Sequence, residues 1–108
     1  MARQSLLKAS TPVLIRRYRQ ALKKAGVPFT RLILFGSRAA GTARPWSDID
    51  LCVVSSSFGH DRHAERLRLA RIAASIEPLI EPVPYHPRDL RNRWDPLAAE
   101  IRRIGKTC

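Results

Sequence analysis

The stretch LFGSRAAGTARPWSDIDLCVV, residues 34–54, decides the fold. At its centre, Asp48-Ile49-Asp50-Leu51-Cys52-Val53-Val54 alternates with a period of two. A β-strand therefore puts Asp48, Asp50, Cys52 and Val54 on one face and Ile49, Leu51 and Val53 on the other. Two carboxylates on one face of a short apolar strand repel each other unless a cation sits between them or water solvates both. Magnesium suits such a pair, because it takes oxygen ligands and is commonly held by one or two carboxylates plus substrate phosphates. A pair that caps a loop or faces an arginine is the alternative. Upstream, Arg31-Leu32-Ile33-Leu34-Phe35 reads as a buried strand ending at Gly36. The Gly-, Ser-, Thr- and Pro-rich residues 36–47, with one helical turn near Arg38–Ala40, form a loop over the sheet end. Gly36 allows phosphate to approach the backbone and Ser37 offers a hydroxyl and amides; a plain turn is the competing reading. The loop returns the chain to Asp48, so phosphate donors and metal ligands would converge.

Working outward, Thr11-Pro12 reads as an N-cap and first helical residue, followed by Leu14, Tyr18, Leu22 and Ala25 at helical spacing before Gly26 and Pro28. A crossover helix is expected from Asp61 to Glu77 through Leu69, Ile72, Ala73 and Ile76. Leu79 to Tyr85 reads as a third strand, which Pro82 and Pro84 confine to an edge. The tail starts a helix near Pro87 and another at Asp95-Pro96, with Leu90, Trp94, Leu97, Ile101 and Ile104 spaced to pack on the sheet. At 108 residues the chain is expected to be one domain. The fold class is α/β (α+β), a small mixed sheet of about three strands packed with helices.

The formal net charge is +11, and residues 1–47 hold ten Lys or Arg and no acid. Such a field attracts polyanions, whether triphosphates, RNA or an acidic protein surface, although a solvated basic helix face is equally consistent. No run approaches the roughly 20 apolar residues of a membrane span, and the opening residues lack the apolar core of a secretory signal. Cys52 and Cys108 offer neither a metal spacing nor a disulfide framework. A cytoplasmic protein with no membrane partner is expected. His60, His63 and His86 lack a ligand pattern and read as surface residues. Arg38 would contact a phosphate or pair with a carboxylate, Trp46 would stack on a base or pack the loop, and Tyr85 would be core or rim.

The glycine–serine step, the following arginine, Gly41, Ala43, Pro45 and Ser47-Asp48-Ile49-Asp50-Leu51 together resemble the signature of the minimal nucleotidyltransferases, which have the polymerase-β nucleotidyltransferase fold. IEPVPYHPRDL and PLAAEIRRIG are similar to that family's third strand and following helices, so the resemblance covers nearly the whole chain. It implies nucleotide binding by Gly36, Ser37, Arg38 and Ser47. It also implies catalysis and Mg²⁺ ligation by Asp48, Asp50 and a third carboxylate, whose place Glu81 fills where aspartate is usual. Two Mg²⁺ ions would support in-line displacement at the α-phosphate of ATP or another NTP, releasing pyrophosphate. The chain has no room for an acceptor-recognition domain, which points to a macromolecular acceptor. The resemblance implies AMP transfer to a small helical HEPN-type toxin, with this chain as the antitoxin. RNA is an alternative acceptor, and a catalytically weak or inactive module binding nucleotide, partner or RNA is the alternative function.

Overall fold

In the computed structural model, which describes Leu7 and residues 9–108, helix α1 (Thr11–Lys24) opens the chain. Its cap is Ser10 rather than Thr11. Both carry a hydroxyl, but Ser10 Oγ is the one that reaches an unpaired backbone donor, Val13 N, at 3.4 Å. Lys23 and Lys24 in the last turn complement the helix dipole. Strand β1 (Arg31–Phe35) and the single turn α2 (Ser37–Ala40) follow, then β2 (Ile49–Val54) and α3 (Arg62–Ile76). Asp61 caps α3 by accepting from Ala64 N at 3.1 Å, while the Glu65 carboxylate accepts from the backbone N–H groups of Gly59, His60 and Asp61. What burial Glu65 suffers raises its carboxyl pKa, but those three donors outweigh it and hold the pKa below the ordinary value.

Strand β3 (Ile80–Tyr85), the turn α4 (Pro87–Leu90), α5 (Pro96–Ile104) and β4 (Lys106–Thr107) complete the described chain. The sheet order is β3-β2-β1-β4, with β1 antiparallel to both β2 and β4 and β2 parallel to β3. The two-residue β4 makes the sheet four-stranded, one more than the sequence suggests, because Gly105-Lys106-Thr107 carries no strand pattern of its own. As the prolines require, β3 lies at an edge. The carbonyls of Leu79 and Tyr85 accept from Ile49 N at 2.7 Å and Ser55 N at 3.0 Å, so odd-numbered residues bond inward and the nitrogens of Pro82 and Pro84 face outward, where no ladder donor is needed.

Beyond Asp50 both faces of β2 are buried, because Leu51, Cys52, Val53 and Val54 are apolar on either side. Ile49, Leu51 and Val53 join Leu32, Ile80 and the inner residues of α1 and α3. Cys52 and Val54 join Ile33, Phe35, Val83 and Tyr85 beneath Leu90, Ala98 and Ile101. Tyr18 at the centre of the first layer donates to Leu69 O at 3.0 Å, which ties α1 to α3, and its burial raises the phenol pKa. Trp94 departs from the periodicity: it is 80% exposed, because the turn before Asp95 breaks the helical phase that would have carried it inward. No helix among the described residues is long and apolar enough to cross a membrane.

Candidate active site

Two features of register assemble the carboxylates. Across the antiparallel ladder Asp50 lies opposite Phe35, the last residue before Gly36, and across the parallel ladder it lies beside Glu81. Asp48 is exposed one residue before β2. All three sit at one sheet end, and Asp50 and Glu81 share the face covered further down by α5. Asp50 is half-buried, and its carboxyl pKa is raised first by that burial and then by the negative charges of Asp48, Glu81 and Glu100.

Gly36 is built around Asp50. Its backbone has φ 72° and ψ −158°, a region essentially reserved for glycine. A Cβ there would overlap Asp50 Oδ2 and lie only 3.0 Å from Cγ. The missing side chain is thus the space in which the carboxylate rests. Gly36 also caps α2, its carbonyl accepting from Ala39 N at 3.1 Å and Ala40 N at 3.0 Å. The first N–H groups of that turn have no intrahelical acceptor, and the half-buried Ser37 sits among them.

Arg38 and Ser47 take roles the sequence reading did not foresee. Arg38 donates through Nε (3.2 Å) and Nη2 (2.8 Å) to Ser47 O and through Nη2 to Arg44 O at 3.3 Å, pairing with no carboxylate. Ser47 Oγ accepts from Arg44 N at 2.8 Å. Together they close the loop and fix the approach to Asp48. Trp46 does not pack the loop: it is 61% exposed beside this opening.

Glu81 stands next to Asp50 in register, its charge is felt there, and it also meets an arginine. Arg66 on α3 reaches round the outer edge of β3 and places Nη2 3.8 Å from Glu81 Oε1, with both side chains about half exposed (54% and 52%). Among the described residues no three His, Cys, Asp or Glu side chains close into a metal-holding group. The residues that fit a magnesium ion here are therefore Asp48 and Asp50. They provide hard oxygen donors in a cradle kept open by Gly36, leaving the other positions to water and phosphate.

The sequence reading missed Glu100, a lone acid on the basic α5 whose charge reaches Asp50, and Arg66, whose position beside Glu81 depends on how α3 crosses the sheet. It also missed the brace below them: Tyr85 Oη donates to Asp95 Oδ2 at 2.7 Å, Asp95 Oδ1 caps α5, and the Arg62 guanidinium lies 4.9 Å from the Tyr85 ring centre. Burial, then the Asp95 bond, raises the Tyr85 pKa. Burial pushes the Cys52 thiol up to about 12, so it is inert. The histidines form no cluster, and His86 caps α4 through Nδ1 at 3.0 Å from Arg88 N.

A family model described as a nucleotidyltransferase domain matches residues 15–103. A solved structure, described as the crystal structure of a toxin-antitoxin with AMP-PNP, superimposes with a TM-score of 0.61 and 25% identity, covering 91% of this chain and 72% of that one. No curated protein matches.

Proposed function

We propose, since this chain belongs to the family of nucleotidyltransferase domains, that it transfers a nucleoside monophosphate, AMP from ATP, to a macromolecular acceptor. The observation that carries this reading is the Asp48–Asp50 pair set against Gly36 at one sheet end. In this reading Ser37 and the first N–H groups of α2 donate to the triphosphate, and Asp48 and Asp50 hold magnesium. Magnesium, when bound, neutralises phosphate charge and so favours attack at phosphorus. Glu81, swung from Arg66 toward its register partner Asp50, takes the proton of the acceptor hydroxyl. The acceptor oxygen then bonds to the α-phosphorus as the bond to the bridging oxygen breaks, and pyrophosphate leaves. Arg38 and Ser47 act by keeping the loop closed, and positioning supplies most of the rate.

The acceptor in this reading is a small helical toxin of the HEPN type, with this chain as its antitoxin. The similarity to a toxin-antitoxin bearing AMP-PNP supports both the context and the choice of ATP. One observation favours a second reading, a binding module with weak or no turnover: Glu81 is engaged by Arg66 instead of joining the aspartates. The test incubates the chain with Mg²⁺ and α-labelled ATP, once with the protein encoded beside it and once with RNA. Label on that protein, lost in Asp48→Asn and Asp50→Asn, supports transfer. Label on RNA replaces the acceptor, and nucleotide binding without label on either establishes the binding module.

A further inference from the structure

At the opposite end of the sheet from the carboxylates, a cleft of about 390 Å³ opens between β1 and the α4–α5 layer. Arg31, on its rim, pairs with Val54, four residues along β1 from the Phe35–Asp50 pair, a separation of about 13 Å at strand rise. The lining includes the core residues Ile33, Leu90 and Ile101, which are 3–6% exposed and show a narrow apolar strip, and the exposed Arg31, Arg91 and Arg102, which bring three positive charges. No acid lines it. Among the described residues the ion pair is Arg66–Glu81, so these three arginines have no carboxylate partner. Arg102 is held in place through Nη1, which donates to Leu90 O and to Asn92 O at 3.4 Å.

Three guanidinium groups at one mouth repel one another, and a bound anion reverses the sign of that interaction. Guanidinium forks match phosphate oxygens in pairs, and a guanidinium plane or a narrow apolar strip accepts part of a ring. The volume falls within the range of small-ligand sites. We propose that this cleft is a second, separate binding site for a nucleoside phosphate, with the phosphate among Arg31, Arg91 and Arg102 and an edge of the ring against the narrow apolar strip of Ile33, Leu90 and Ile101. The ligand is either a free nucleotide or the terminal nucleotide of an RNA strand, which share this chemistry.

The test is calorimetric titration in EDTA with two probes, AMP and a 5′-phosphorylated five-nucleotide RNA. EDTA, and separately Asp50→Asn, disables the carboxylate site without touching the cleft. Binding should survive both and weaken at least about tenfold in the Arg31→Gln, Arg91→Gln double variant, on the scale of two lost charge-assisted hydrogen bonds. Arg102 is left intact because it also braces the backbone. Arg91→Gln alone, beyond the end of α4, keeps the readout if the double variant unfolds. Equal affinity for the two probes identifies a free nucleotide, and much tighter RNA binding identifies a strand end. If neither probe binds the wild type, or the arginine variants bind both as well as it does, the proposal is wrong.

Discussion

Replacing Gly36 with alanine tests the site where backbone and carboxylate meet. Two costs arise together. Alanine at φ 72°, ψ −158° is strained by about 1–3 kcal/mol. Its Cβ also overlaps the Asp50 carboxylate, an overpacking cost of again about 1–3 kcal/mol. The sum, about 2–6 kcal/mol, is a large part of the roughly 5–15 kcal/mol that holds a domain folded. An Asp50→Ala background separates the two. There, of the three atoms nearest the added Cβ, only the residue 50 Cβ at 3.3 Å remains, so Gly36→Ala should cost chiefly the backbone strain. Urea unfolding of the four proteins, read as midpoints at constant slope, gives the cycle, and Gly36→Ala should cost about 1–3 kcal/mol more with Asp50 present than without it. In the otherwise wild-type chain, transfer should fall by about 100-fold or more, since a metal ligand moved by about 1 Å costs that much. Equal costs in both backgrounds would refute the packing of Asp50 on Gly36, and a cost under about 0.5 kcal/mol in both would refute the backbone conformation as well.

Burial raises the folded-state pKa of Asp50, so the native state holds its proton more tightly than the unfolded chain does, and stability falls as pH rises between the two values. Metal-free Asp50→Asn should therefore match or exceed the wild type in melting temperature at neutral pH, with the advantage shrinking as pH falls through the raised native value and gone below about 4, the ordinary carboxylate value; a collapse of the variant at neutral pH would make the carboxylate structural. Arg38→Ala frees the carbonyls of Ser47 and Arg44, so hydrogen exchange across 42–48 should accelerate and ATP affinity weaken several-fold, whereas an unchanged exchange pattern would deny the clamp. Glu81→Gln should leave Mg²⁺-ATP affinity nearly intact while single-turnover transfer drops by about 100-fold, and transfer at the wild-type rate would remove Glu81 from the chemistry.

Much of this protein is legible in its order of residues because the signals are local. The period of two through residues 48–54 assigned each side chain of β2 to its face, and the structure buries the apolar residues of both in separate clusters. Helical spacing found Leu14, Tyr18, Leu22, Leu69 and Ala73, and two prolines announced an edge strand. Gly36, Asp48 and Asp50 stood out because a glycine at a strand end and two like charges on one face are costly unless something requires them. What depended on distant parts of the chain was not legible. The strand β4 exists because Lys106 and Thr107 meet Leu34 and Ile33, seventy residues earlier, not because a two-residue segment has a preference of its own. Trp94 was expected to pack on the sheet and Trp46 either to pack the loop or to stack on a base, and both lie exposed, since a loop and a turn, not side-chain polarity, set where they point. Arg66 faces Glu81, Glu100 reaches Asp50, and three arginines share one cleft only because helices cross the sheet where they do. Periodicity ranks the faces of one element; which charges confront each other across elements is settled by packing, and in this chain that packing placed an arginine beside the third carboxylate.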